Sequence, residues 1–156
     1  ISLLNMNIKK ASKRLKKFKD VEYRLNKIAE HIYNDAKSTN CASTNAALQA
    51  LNNVHLICGG YNRGMSITID KDNLEKIKYV YAYGDTKNEI KFYFENYNIR
   101  CFIFKTLEEA FRSAYIKKED EDNILYSPMF ASFDQYNSYS ERGKEFNNIY
   151  FELIKK

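Results

Sequence analysis

The sequence predicts an α/β domain: a Rossmann-like, mostly parallel sheet with helices on both faces. Two observations carry this reading. Short apolar runs of strand length recur along the chain, among them "VHLICGG" (54–60), "KYVYAY" (78–83), "IRCFIF" (99–104) and "ILYS" (124–127). Each is separated from the next by a segment of helical length. Parallel strands need crossover connections, and crossover helices cover both faces of the sheet.

The elements follow in order. Residues 8–18, "IKKASKRLKKF", read as a basic amphipathic helix with Ile8, Ala11, Leu15 and Phe18 on one stripe. A strand is expected at 27–33, then a helix near 43–52 with small apolar residues on one side. "VHLICGG" is a strand closed by two glycines, and a short helix near 71–77 leads to the strand at 78–83. A helix at 86–97 precedes the strand at 99–104. "TLEE" then forms a capping box, with Thr106 as N-cap and Glu109 at the third helical position. The acidic loop "KEDEDN" precedes the strand at 124–127, and a helix from about 141 to 154 closes the chain. The expectation is five strands alternating with helices.

A chain of 156 residues, 44% hydrophobic and 29% charged, suits one domain with a real core. The net charge of +5 is concentrated in "KKASKRLKKFK", which has seven basic residues in eleven. Such a run can meet nucleic acid, a membrane or a phosphorylated ligand. With no nucleic-acid-binding motif beside it, a solvated helical face or a connector is the favoured reading, and nucleic-acid binding through Lys9 to Lys19 the competing one. Cys41, Cys58 and Cys101 are far apart and have no zinc-type spacing. Buried free thiols at Cys58 and Cys101 and a cytoplasmic location are expected. No signal peptide and no membrane-spanning apolar run is present.

Doubly wound sheets bind ligands outside the carboxyl ends of their strands, so the loops there are the ones to inspect. "NDAKSTN" (34–40) packs an acid, a base, hydroxyls and amides in front of a helix. Asp35, Lys37 and Thr39 alternate and would face one side of an extended loop, beside free helical N–H groups that favour an anion. The same residues equally suit an N-capping turn with an internal Asp35–Lys37 pair. "GGYNRG" (59–64) allows close backbone approach and offers the fork of Arg63 to a carboxylate, or is a tight turn with an exposed arginine. "LYSPMFASFDQYNSYSERG" (125–143) mixes hydroxyls with aromatic residues, which suits a small pocket with an aromatic wall or a cover over the sheet end. His31 and His55 fall in expected strands and read as structural. The residues alone give a domain that binds a small anion, with no clear nucleophile or general base.

The order "NDAKSTN", helix, "LICGGYNRG", then "ILYSPMFASFDQY…ERGKEF" resembles the C-terminal domain of the bacterial Mur ligases, and most of all the branch that adds D-glutamate. The typical patterns there are NDSKATN, GGxxK and SPAxxSFDxFxxFxxRGxxF. "FKDVEYRLN" (18–26) is similar to the family's FxxxxHRxE stretch. The likeness runs from about residue 8 to residue 151. It implies an ATP- and Mg2+-dependent ligase that phosphorylates the carboxylate of UDP-N-acetylmuramoyl-L-alanine and lets the amine of D-glutamate attack the acyl phosphate, in peptidoglycan precursor synthesis.

By motif position, Lys37 resembles the family's catalytic-centre lysine. Thr39, Arg63, Ser132, Phe133 and Tyr139 resemble the D-glutamate site. Arg24 and Asp35 resemble residues that approach ATP. Arg63 stands where the family has Lys, Tyr23 where it has His, Tyr139 where it has Phe, and Met129 and Phe130 where small residues are usual. The resemblance further implies that residues 1–20 are the tail of a central ATPase domain and hinge, that 21–156 is the C-terminal domain, and that the P-loop lies in a part of the enzyme not contained here. On that reading the chain is inactive alone and partners its own N-terminal and central domains. It is monomeric and contacts neither nucleic acid nor membrane. A non-catalytic module that binds an anionic amino acid is the alternative.

Overall fold

A computed structural model describes residues 21–155. The basic helix expected at 8–18 and the tail assigned to residues 1–20 lie outside them. The described chain is an α/β domain with a six-stranded sheet in the order β1-β2-β6-β3-β4-β5. The strands are β1 (Asn26–Ala29), β2 (Ile32–Asn34), β3 (Val54–Gly59), β4 (Ile77–Tyr83), β5 (Cys101–Ile103) and β6 (Asn123–Tyr126). The helices are α1 (Cys41–Gln49), α2 (Lys71–Leu74), α3 (Lys87–Glu95), α4 (Leu107–Lys117) and α5 (Tyr139–Ile154). All pairings are parallel except β1 with β2.

That exception corrects the expected five strands. Residues 27–33 are not one strand but a hairpin, broken at a turn over Glu30 and His31, where His31 has φ 59°. His31 therefore sits in a turn, and its Nδ1 lies 3.1 Å from Asn123 Oδ1. β1 is a half-buried antiparallel edge strand. The last helix begins at Tyr139, two residues ahead of the expected start, because the Ser138 hydroxyl accepts the Glu141 N–H and caps it. Thr106 caps α4 as expected, but Glu109 closes the box one residue early, accepting the N–H of Lys105 at 2.8 Å.

Strand periodicity sorts the core into two layers. Val54, Leu56, Cys58, Val80, Ala82 and Leu125 face α1, α2 and α3, with Leu48, Leu74, Ile90 and Phe94 packed on them. Ile57, Tyr81, Tyr83, Ile124 and Tyr126 face α4 and α5, with Phe111 and Phe146 packed on them. Phe146 stacks on Tyr126 at 4.7 Å and meets Phe111 edge-on at 5.2 Å. Each such fully buried side chain contributes about 1.5–3 kcal/mol through burial. All three cysteines are buried free thiols. Among the described residues no helix is long and apolar enough to cross a membrane.

His55 is structural, as the sequence suggests. It is wholly buried at the amino end of β3, with Nδ1 2.9 Å from the Tyr81 hydroxyl and Nε2 3.0 Å from Asp122. Burial holds the imidazole below its ordinary range, against the opposing pull of Asp122. Burial raises the Asp122 carboxyl, but Lys78 at 2.9 Å, the Glu119 N–H and His55 outweigh it, and the carboxyl ends below its usual range.

The two glycines closing β3 are set by the fold's own contacts. A Cβ on Gly59 would stand 2.0 Å from the Tyr83 carbonyl oxygen, and one on Gly60 2.2 Å from that of Ala131. Their φ values, 147° and 145°, are also open only to glycine.

Two outcomes follow. Gly59→Ala will destabilise the protein by about 2–4 kcal/mol in a urea melt, through backbone collision and strain. Gly64→Ala, with φ 82° but nothing within 4 Å, will cost only about 1–2 kcal/mol. His55 sets the second. An unfolded chain takes up a proton on this residue below pH 6.5 and the folded chain resists it, so stability falls as pH drops from 7 toward 5. His55→Gln will be less stable at pH 7 and will lose most of that slope. An unchanged slope in the variant would assign it to other groups.

Candidate functional site

The loops after β2, β3 and β6 meet at the carboxyl ends of their strands because β6 lies between β2 and β3. The loop "NDAKSTN" divides its chemistry between inside and outside. Asn34 is buried, donating to the Gly143 carbonyl at 2.8 Å and to Asn147 Oδ1 at 2.7 Å, while its own oxygen accepts the Ala36 N–H at 3.1 Å. Asp35 is 1% exposed and accepts from the Leu25 N–H at 3.0 Å, from the Ser127 hydroxyl at 2.8 Å and from the Ser38 hydroxyl. Ser127 in turn contacts the Thr44 hydroxyl at 2.8 Å. Burial pushes the Asp35 carboxyl above its usual range, against the lowering by Ser38, Ser127, the Leu25 N–H and the Arg24 charge. Asn40 caps α1, accepting the Ser43 N–H at 2.9 Å, which is worth about 1 kcal/mol.

Lys37 and Thr39 are the residues that remain half-exposed before the cap. Asp35, Lys37 and Thr39 therefore do not share one face, and no Asp35–Lys37 pair forms. The carboxylate is turned inward to hydroxyls, and Lys37 Nζ lies 5.5 Å above the Tyr139 ring. The loop is held at its root by the Tyr23 carbonyl, which accepts the Lys37 N–H at 3.0 Å.

The other two loops are joined to each other. Gly59 N–H donates to the Pro128 carbonyl at 3.0 Å and Tyr61 N–H to that of Ala131 at 2.8 Å, forming a bridge between residues 61 and 131. Arg63 projects over Phe133, with its guanidinium carbon 4.9 Å from the ring centroid. Phe133 is 58% exposed, while Met129 and Phe130 are buried, so the aromatic loop both covers the sheet end and presents a wall. Ser132 is 3% exposed, and its hydroxyl makes no hydrogen bond among the described residues. Asp134 Oδ1 in this loop and Thr86 Oγ1 at the start of α3 are buried without a partner among the described residues. The Asp134 carboxyl is raised first by burial and further by Asp85.

The structure thus brings Lys37 to Tyr139 and Arg63 to Phe133, beside Ser132. Arg24 and Asp35 share a separate cavity of about 190 Å³ with Leu25, Ser43, Ala46 and Ala47. Thr39 is half-exposed, and among the described residues its hydroxyl makes no hydrogen bond to the other candidates. Among the described residues no cluster of three His, Cys, Asp or Glu side chains could hold a metal. The Mg2+ implied by the resemblance is expected mainly on the central domain, which the described residues do not include.

Sequence reasoning missed Arg142, which is fully buried. Its Nη2 donates to the carbonyls of Ala36 at 3.1 Å and Phe130 at 3.0 Å, and its Nη1 to that of Gly59 at 3.5 Å. A signal was available: Arg142 falls on the apolar stripe Tyr139, Phe146, Ile149 of α5, where a solvated arginine has no place.

No family model matches the chain. Curated relatives do. Over 95% of its length it is 37% identical to the UDP-N-acetylmuramoylalanine–D-glutamate ligase of Francisella philomiragia subsp. philomiragia. Over 98% of its length it is 34% identical to the proteins of that name from Francisella tularensis subsp. tularensis and subsp. holarctica. The chain spans 37–38% of the length of these relatives.

Proposed function

The chain belongs to the Mur ligase family, and we propose that it is the C-terminal, amino-acid-positioning domain of an ATP-dependent ligase that adds D-glutamate to UDP-N-acetylmuramoyl-L-alanine. The observation that supports this most is the gathering of two cations and a buried hydroxyl on three loops at one end of the sheet, Lys37 over Tyr139 and Arg63 over Phe133 beside Ser132. An amino acid with two carboxylates asks for such a set: separated cations, a hydroxyl donor and an aromatic wall.

In the proposed reaction the substrate carboxylate oxygen attacks the γ-phosphorus of ATP and ADP departs. The D-glutamate amine then attacks the acyl carbon, the C–N bond forms, and phosphate leaves with the acyl C–O bond broken. The protein's part is orientation and charge stabilisation. Arg63 presents a planar fork to a carboxylate, and its ring contact with Phe133 limits where that fork can point. Ser132 offers its hydroxyl to a carboxylate, and Tyr139 walls the pocket. Thr39 lines the same approach from the first loop. Lys37 faces the reaction centre, where its ammonium would stabilise negative charge developing on the tetrahedral intermediate.

Arg24 would meet the nucleotide phosphates from the smaller cavity. Asp35, with its oxygens already occupied by three donors, would act by holding the Arg24–Leu25 segment. In this reading residues 1–20 lead in from a central ATPase domain and 21–156 form the domain that closes over it. Closure would exclude water from the acyl phosphate.

The test uses the full open reading frame. Phosphate release with ATP, Mg2+ and UDP-N-acetylmuramoyl-L-alanine will require D-glutamate and will not proceed with the L isomer. Folded protein that releases phosphate with neither isomer would instead be a non-catalytic module binding an anionic amino acid. Ser132→Ala will weaken D-glutamate by about 1–3 kcal/mol, the cost of an unpaired polar partner. Lys37→Ala will lower turnover more than binding. An unchanged D-glutamate dependence in Ser132→Ala would move the pocket elsewhere.

A further inference from the structure

Arg142 is buried to 0% exposure, yet among the described residues no acid lies within ion-pair distance of it. A buried charge without a counter-ion is among the most costly things a fold can contain. Here it is met only by backbone carbonyls, and those carbonyls belong to the three candidate ligand loops: Ala36 in the first, Gly59 at the root of the second, Phe130 in the third. Its Nε has no hydrogen-bond partner among the described residues.

From this geometry we infer that Arg142 is the positioning residue of the site, a single rigid fork that sets the three loops in register. Ala36 immediately precedes Lys37, and Phe130 lies two residues before Ser132. One Nη2 atom holds both carbonyls, so the backbone beside Lys37 and the backbone beside Ser132 are fixed to each other through one nitrogen. Nη1 also packs close to Gly60, where a Cβ would lie 3.2 Å from it.

The fork itself is held from behind. Gly143 packs on Tyr23 so closely that a Cβ would be 2.4 Å from the ring, and the Gly143 carbonyl is tied to Asn34 at 2.8 Å. A lysine could carry the charge but not the planar pair of donors on separate nitrogens. Arg142 touches no proposed substrate atom; it acts through the loops. The inference deepens the proposed ligand site, and its loop-coupling part stands apart from the chemistry.

The experiment compares Arg142→Met and Arg142→Lys with the parent in the full-length protein, by amide hydrogen exchange without ligand and by steady-state kinetics. Exchange at 36–39, 59–63 and 130–134 will rise together, by about tenfold or more, while amides of β4 stay protected. KM for D-glutamate will rise by about tenfold or more, with a smaller change in KM for ATP, as expected when a binding geometry is loosened. If Arg142→Met fails to fold, Arg142→Lys carries the comparison, since it keeps the charge and most of the stem.

Loosening of one loop alone, or unchanged exchange in both variants, would overturn the inference. So would coupled loosening with an unchanged D-glutamate KM. If the parent itself shows no D-glutamate-dependent turnover, the ligase reading fails, and coupled loosening still sustains Arg142 as the tie among the loops.

Discussion

The site exists because β6 enters the sheet between β2 and β3. β6 is the last strand in the chain, yet it pairs in parallel with both neighbours and separates the hairpin from the rest of the sheet. Parallel pairing places the carboxyl ends of β2, β6 and β3 at one edge, so the loop that follows β6 must rise between the other two. Ser127 marks the junction: its hydroxyl reaches Asp35 across 92 residues of sequence and Thr44 across 83. Closing loops of that length adds only slowly to the entropy of ordering, but such pairings delay folding until the separated segments meet. Insertion of β6 is thus the step that turns two separated loops into a site.

Polar groups buried beneath the loops make that insertion specific. Asp35, Ser38, Ser127 and Thr44 form a hydrogen-bonded set in which the carboxylate accepts three donors. A shift of β6 by one residue would bring Tyr126 or Pro128 to the place of Ser127 and deprive the buried carboxylate of one of its three donors, which costs more than a misplaced apolar contact. The network therefore selects one register among several that hydrophobic packing would tolerate. The region around Thr86 and Asp134 follows the opposite rule, with polar atoms left unpaired near the mouth.

Strands and helix starts of this fold were legible because short apolar runs and helix caps are local signals. Thr106 with Glu109 located a helix start, and "KYVYAY" located β4. The hairpin was not legible, since Lys27 to Tyr33 has strand-like composition throughout and only the backbone of His31, at φ 59°, breaks it. Within the site, motif order placed Lys37, Arg63, Ser132 and Tyr139 on neighbouring loops, while the sequence could not say which polar residues turn inward. Asp35 and Lys37 are two apart in a polar stretch, yet one is buried under Ser127 and the other stacks on Tyr139. Arg142 escaped for a different reason: a charged residue in a helix reads as solvent-facing unless its place on the apolar stripe is weighed.

The departures at Tyr23 and Arg63 become intelligible once backbone and side-chain roles are separated. At Tyr23 the positioning is done by the main chain. With φ 61°, its carbonyl accepts the Lys37 N–H and its own N–H donates to the Asn26 side chain. The ring has only to fill the space over Gly143, a task for which shape matters more than an ionisable nitrogen. At Arg63 the proposed ligand contact is made by the side chain itself, and a planar cation in place of an ammonium needs a restraint on where it points. Phe133 supplies the restraint as a ring face 4.9 Å away, a contact that suits a flat guanidinium better than a point charge. Arg63 and Phe133 therefore function as a pair, and replacing one by another residue type changes what the other can do.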